Sequence, residues 1–303
     1  MADYHTTPEP AELAPTRCGS AVFYWGKRTY IMGILNLSPD SFSGDGVEDA
    51  DAAVLRAKQM AADGADIIDV GGESTRPGAA PLSAEEELRR IIPVVEKLRR
   101  ELSIPLSVDT YKLEVARQAV DSGARMINDI WGLKKEPRLT ELAAQHNIPI
   151  VLMSNQRDVS PRHDTDFPDI LSVVIADLHQ SIEQALAAGV PRENIIVDPG
   201  IGFGKTQEQN LDLLRRLEEL KSLGQPVLLG SSRKSVIGWV LDLTPEQRRE
   251  GKAFLPPTNP RLEGTAATLA LGIARGVDMV RVHDVKEMAL VCRMSDALVR
   301  GGW

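Results

Sequence analysis

Two cysteines in 303 residues, Cys18 and Cys292, are too few for a disulfide framework, which fits a reducing compartment. No apolar run approaches the ~18 residues that a bilayer-spanning helix needs. The first residues carry neither the basic nor the apolar region of a secretion signal. Positive charge is scarce: 35 Lys and Arg stand against 43 Asp and Glu, a formal net charge of −8. That argues against non-specific nucleic-acid binding, yet it leaves room for a basic pocket around an anionic substrate. No His/Cys/carboxylate spacing suggests zinc. His5, His146, His163 and His179 fall in an arm, a helix end, a loop and a helix, where structural or solvated roles are expected. These absences leave a soluble cytoplasmic protein as the expectation.

What is present is a repeated plan. The stretch YIMGILNLSPDSFSGDG, Tyr30 to Gly46, begins with an apolar run, Ile31–Leu35, that reads as a strand buried on both faces. It breaks at polar Asn36 and passes into a loop rich in turn-forming residues. A helical pattern starts at about Asp49 and ends at Gly64, a C-cap candidate. The plan recurs with strands expected at 67–70, 106–108, 125–127, 149–153, 195–197, 226–229 and 279–282, each followed by a helix. One of these helices opens with a capping-box pattern, Ser83 to Glu86. Residues 1–20 read as a flexible N-terminal arm, and 21–29 as a hairpin strand covering the bottom of the fold. The polar segment 243–260 looks like an insertion. Eight strands alternating with helices imply a parallel sheet, and the count of eight favours a single (β/α)8 TIM barrel over residues 21–303. A doubly wound open sheet would want a dinucleotide fingerprint after the first strand, and Asn-Leu-Ser-Pro-Asp is not one.

Position is the informative feature of the polar residues. Asn36, Asp109, Asn128, Asp198, Lys234, Arg281 and His283 all fall at or just beyond the C-terminal end of an expected strand. A closed barrel gathers those ends into one rim, where such folds do chemistry. A lone Asp after a strand is often only the N-cap of the next helix, and Asp129 and Asp284 read that way or as supporting groups. Arg281 in an otherwise apolar strand resists the structural reading, because a buried guanidinium needs a partner. Arg76, Lys234, Arg281 and His283 form an anion-binding set. Asp109, Asn128 and Asp198 offer the acceptors and the amide needed to grip a nitrogen heterocycle carrying several N–H donors. Asn36 could give its carbonyl oxygen to Mg²⁺, which takes few protein ligands beside substrate phosphates. The opening of a helix near Ser235 presents backbone N–H groups, a second natural anion site.

The segments ILNLSPDSFSGDG, DVGGESTRPGA, SVDT, INDI, VDPGIGFGKT, GSSRKS and RVHD resemble, in order, the signatures of the dihydropteroate synthases, over about residues 30–290. The resemblance implies a TIM barrel that condenses 6-hydroxymethyl-7,8-dihydropterin diphosphate with p-aminobenzoate, giving dihydropteroate and diphosphate in folate synthesis. By motif it places Asp109, Asn128, Asp198 and Lys234 on the pterin, with Met153 stacking on it. It places Asn36 on Mg²⁺, Arg281 and His283 on the diphosphate, and Phe42, Thr75, Arg76 and Ser235 around p-aminobenzoate. It further implies a homodimer and competition by sulfonamides. Two departures stand out: the first loop reads SFSGDG, displacing the acid to Asp45, and Ser154 follows Met153 where the family commonly has His. Two other readings remain. A pterin-dependent methyltransferase using a corrinoid protein would not need RKS or RVHD. A paralogue that only binds pterin would not need Asn36, Lys234, Arg281 and His283 together.

Overall fold

The computed structural model describes residues 13–37, 50–74, 81–157, 169–241 and 260–301. The chain opens with an antiparallel hairpin, β1 (Thr16–Cys18) and β2 (Ala21–Phe23). Eight further strands follow: β3 (Tyr30–Asn36), β4 (Ile67–Gly71), β5 (Leu106–Asp109), β6 (Met126–Asp129), β7 (Ile150–Met153), β8 (Ile195–Asp198), β9 (Leu228–Leu229) and β10 (Met279–Val282). They pair in parallel in the order β8-β7-β6-β5-β4-β3-β10-β9. A parallel bridge between Val197 and Val227 joins the two ends, so the sheet closes into a (β/α)8 barrel. The outer helices are α1 (Ala50–Ala62), α2 (Ala84–Glu101), α3 (Leu113–Ser122), α4 (Leu139–His146), α5 (Ile170–Ala187), α6 (Gln207–Arg215), α7 (Ser235–Val240), α8 (Pro260–Ala274) and α9 (Val285–Arg300). A 3-10 segment, Leu217–Leu223, continues from α6. No helix among the described residues is long and apolar enough to cross a membrane.

Strand periodicity divides the interior. Successive side chains point to opposite faces. One parity (Ile31, Leu35, Ile68, Val70, Val108, Ile127, Val197, Val280, Val282) packs against the helices in the main core. The other parity starts at the N-terminal strand ends with Tyr30, Met32, Ile67, Met126, Val151, Ile196, Leu228 and Met279, which form a separate apolar cluster inside the barrel. The same parity then turns polar towards the C-terminal ends, at Asp69, Ser107, Asp109, Asn128, Asp198 and Arg281. The barrel is therefore dry below and charged above.

The hairpin plugs the dry end, as the sequence suggests for 21–29. Phe23 and Trp25 join the lower cluster and pack on Tyr30, tilted and edge-on, with ring centroids 4.8 and 5.5 Å away. The strand Thr16–Cys18 lies inside the stretch 1–20 whose composition reads as an arm, so the ordered plug begins earlier than expected. Three anchors hold it: Trp25 Nε1 donates to Thr16 Oγ1 (2.9 Å), Thr16 Oγ1 donates to the Glu193 carbonyl (2.5 Å), and Cys18 Sγ meets the Arg125 carbonyl (3.3 Å).

Helix ends follow local chemistry. Gly64 and Gly123 end α1 and α3 with φ of +110° and +131°, which suit only glycine. Ser83 Oγ accepts from the Glu86 N–H (3.1 Å), but the Glu86 carboxylate pairs with Arg89 and Arg90, so only half of the expected box appears there. A complete capping box opens α6 instead, between Thr206 and Gln209. The segment 243–259 lies outside the described residues.

Phe23→Ala should destabilise the fold by about 3–5 kcal/mol, because it empties the plug of a fully enclosed ring. Urea unfolding of both forms measures this, and a loss under about 1 kcal/mol would contradict the plug.

Candidate active site

The charged half of the barrel is built around Arg281. Its inward position on β10 brings Nε to Asp69 Oδ2 at 2.7 Å and Nη2 to Asp109 Oδ2 at 2.5 Å. The same Asp69 oxygen accepts from Asn128 Nδ2 at 2.9 Å. One strand residue from each of β4, β5, β6 and β10 is thus locked in a single network. The partner that a buried guanidinium requires is present twice over. Burial pushes the Asp109 carboxyl well above the usual range. Arg281 opposes that rise, Asp69 and Glu87 add to it, and Lys234 opposes it again.

Asp198 closes the floor from β8. Its Oδ1 accepts from the Gly200 N–H at 2.7 Å, and its carbonyl accepts from the Ser154 N–H at 2.9 Å. Burial raises this carboxyl too, against the pull of that N–H and of Lys234 and Arg281. Lys234 precedes α7. Enclosure by protein, with Arg281 nearby, lowers its ammonium far below the ordinary lysine value, while Asp198 pulls the other way. Its stem runs so close to Gly202 (φ +81°) that a Cβ there would sit 3.2 Å from Lys234 Cδ. Its Nζ lies 4.1 Å from the centroid of Phe203, and Arg157 Cζ lies 4.4 Å from the same ring. Phe203 packs with Ile130 and Met153 into a small apolar wall at the mouth.

The residue before Lys234 is strained. Arg233 has φ +56°, a left-handed conformation rare for a long side chain. A paired contact to Asp284 (3.0 and 2.5 Å) and a backbone bond to Thr265 Oγ1 (3.1 Å) hold it there. That geometry aims Lys234 at the pocket. Asp284 is therefore a supporting ion-pair partner and makes no side-chain cap bond. His283 Nδ1 and Ser232 Oγ are 3.0 Å apart. Asp129 caps the turn after β6 and not a helix, since α4 has Arg138 at its N-cap: it points away from the barrel interior and accepts from the Trp131 and Leu133 N–H groups (2.9 and 2.6 Å), while burial pushes its carboxyl up to about 6.

The fold thus gathers Asp109, Asn128, Met153, Asp198, Lys234, Arg281 and His283 on one rim. Asn36 ends β3 opposite Gly71, half-buried. Ser235 is exposed at the start of the six-residue α7, with Gln207 Nε2 3.4 Å from its hydroxyl. Phe42, Thr75 and Arg76 lie outside the described residues. Just before them in sequence, Glu73 joins Lys112, which also pairs with the buried Glu87, and Glu73 accepts from Tyr111 OH (3.2 Å) and the Leu82 N–H (3.3 Å). Among the described residues no group of three His, Cys, Asp or Glu could hold a metal.

Asp69, Arg157, Phe203 and Lys205 are absent from the sequence-derived set. Asp69 was detectable: it is an acid in an Ile-Ile-Asp-Val run, two residues from Ile67 and so on the same inward parity. Phe203 and Lys205 lie in a loop, where no period applies.

A family model for pterin binding enzymes matches residues 32–283. The chain is 50% identical to a dihydropteroate synthase of Bacillus subtilis over 277 residues, 91% of this chain and 90% of that protein. It superposes on a dihydropteroate synthase of Clostridium difficile crystallised with pteroic acid, with a TM-score of 0.80, 49% identity, and 92% and 99% of the two chains covered. A Xanthomonas albilineans dihydropteroate synthase with 4-aminobenzoic acid also gives a TM-score of 0.80, at 38% identity over 94% and 97% of the chains. With this rim and these likenesses, the chain belongs to the pterin-binding enzyme family, on its dihydropteroate synthase branch.

Proposed function

We propose that this chain is a transferase joining 6-hydroxymethyl-7,8-dihydropterin diphosphate to p-aminobenzoate, with 7,8-dihydropteroate and diphosphate as products. The observation that carries the reading is the acceptor-rich floor, Asp109, Asn128 and Asp198 around Arg281, with Lys234 and Phe203 at its edge. A pterin presents several ring N–H donors, which suit carboxylates in a water-poor site.

In this reading the C–O bond between the pterin methylene and the diphosphate breaks first, and its electron pair leaves with the diphosphate. The resulting cation is delocalised into the ring, whose N–H groups Asp109 and Asp198 hold; their negative charge stabilises the developing positive charge. The aniline nitrogen then donates its lone pair to the methylene carbon and sheds a proton. Arg281, His283 and Lys234 offset the charge on the departing diphosphate. Half of the Arg281 fork is committed to Asp69 and Asp109, so its charge is shared between floor and leaving group. Thr75, Arg76, Phe42 and Ser235 complete the p-aminobenzoate side, where sulfonamides would compete.

A Mg²⁺ ion would fit here as a cofactor held largely by the substrate's phosphates. Asn36 offers a hard oxygen at the rim, and no protein cage stands nearby among the described residues. When bound, the ion would neutralise diphosphate charge. For a homodimer, the exposed apolar stripe Leu290, Met294 and Leu298 on α9, beside Leu271 of α8, is the face proposed to meet a second copy.

Incubation with both substrates and Mg²⁺ should yield dihydropteroate by mass spectrometry; pterin binding without product would overturn the proposal. Asp198→Asn should weaken binding of the pterin diphosphate by about 1.5–3 kcal/mol in calorimetry while leaving the thermal transition in place. Excess EDTA should abolish turnover and added Mg²⁺ should restore it, since a lone amide oxygen retains the ion poorly without substrate. Leu298→Glu should shift the sedimentation of the protein from dimer to monomer; an unchanged coefficient would remove α9 from the interface.

A further inference from the structure

Two features of the rim have no place in the chemistry above: Ser154, which departs from the family pattern, and the ammonium of Lys205. Ser154 follows the inward-facing Met153 and so turns outward. Its hydroxyl donates to Asp177 Oδ2 of α5 at 2.7 Å and accepts from Gln156 Nε2 at 3.0 Å. Asp177 Oδ2 also takes Lys134 Nζ (2.7 Å) and Gln156 Nε2 (3.0 Å). This fixes the chain just after β7.

Lys205 reaches into that corner from the loop after β8. Its Nζ donates to the carbonyls of Ser154 (2.8 Å), Gly200 (3.0 Å) and Phe203 (3.3 Å). An ammonium has three donors, and all three are used. The loop is shaped to allow this. A Cβ on Gly200 (φ +69°) would stand 2.1 Å from the Ser154 carbonyl oxygen and 3.1 Å from Lys205 Nζ, and one on Gly204 (φ +70°) would stand 2.3 Å from the Gln156 backbone. Enclosure holds the ammonium down at about 7, with Asp198 and then Asp177 pulling it back up.

The tie acts on Phe203 more than on Asp198. The sheet already places Asp198, through its register with Met153 and the Ser154 N–H. Phe203 lies beyond the strand, and its backbone is held by Lys205, by the Gln156 N–H on its carbonyl (3.3 Å) and by its own N–H on the Gly200 carbonyl (3.1 Å). Its ring, near Lys234 and Arg157, is a fitting wall for a flat aromatic carboxylate.

We propose that Lys205 is a positioning residue for the second substrate: it sets the Phe203 ring, and through that ring the binding of the arylamine acid, while the pterin side stays with the sheet. This rests on the function proposed above. Lys205→Met should raise the KM for p-aminobenzoate about tenfold, and leave kcat and the KM for the pterin diphosphate within about twofold. In a Phe203→Ala background the same substitution should add almost nothing, because the ring through which it acts is gone. Thermal unfolding of each variant checks the fold. If Lys205→Met does not fold, Lys205→Gln, which keeps part of the donor set, takes its place in both backgrounds with a smaller rise of the same kind. A fall in kcat with KM unchanged, or a full additional KM rise in the Phe203→Ala background, would overturn the inference. Wild-type protein inactive with both substrates would instead overturn the functional reading on which it rests.

Discussion

A guanidinium enclosed in a parallel barrel is tolerable only if carboxylates share its desolvation, and the upper barrel is arranged around that requirement. Arg281 is met by Asp69 and Asp109, and Asp69 in turn holds Asn128. Removing any member would leave an uncompensated buried charge or dipole, which costs far more than the network contributes when complete. The network therefore does little for stability and much for geometry. It ties side chains from four strands into one rigid unit, as binding a rigid heterocycle requires. Its stability comes from elsewhere, in the apolar plug beneath and the strand–helix core around it.

The division between dry and charged halves follows from one rule applied repeatedly. Inward positions alternate along each strand, so a barrel strand presents one apolar residue low and one polar residue high: Ile67 then Asp69, Met126 then Asn128, Ile196 then Asp198, Met279 then Arg281. The lower residue excludes water and keeps the local dielectric low for the upper one. Asp109 and Asp198 are pushed up and Lys234 down by the same burial. A ligand that supplies N–H donors to the acids and anionic oxygens to the lysine would favour the charged form of all three, so substrate binding and ionisation are coupled in the proposed reaction.

The fold was legible because its signal is periodic. Apolar runs that stop at a polar tip, followed by helical spacing, placed all eight barrel strands within a residue or two of their observed ends. The plug strand Thr16–Cys18 escaped because three residues carry no period, and its partners, the Glu193 and Arg125 carbonyls, are remote in sequence. The rim residues were legible for the same reason as the strands: a strand tip can be read, and tips converge in a barrel. Asp69 was overlooked because it lies inside its strand, although its parity with Ile67 marks it as inward. Phe203 and Lys205 stand in the VDPGIGFGKT segment, but their roles, like that of Arg157, were out of reach. Their places are set by glycine backbone conformations and by carbonyl contacts across the gap between β7 and β8, which no spacing encodes.

Parity also bears on how Ser154 is to be understood. A residue that directly follows an inward strand residue faces outward, so a serine at 154 in place of histidine changes the packing between β7 and α5 and leaves the chamber floor unaltered. Its hydroxyl joins Asp177, Lys134 and Gln156, and its backbone, which any residue would supply, serves Asp198 and Lys205. A histidine at the same place would be a larger group beside a carboxylate and two lysines, with a charge that changes near neutral pH. Serine keeps that corner compact and adds no titrating group of its own beside Lys205. The departure from the family pattern is thus a repacking of the wall behind the site, and the residues that face the reaction are those the barrel register brings inward.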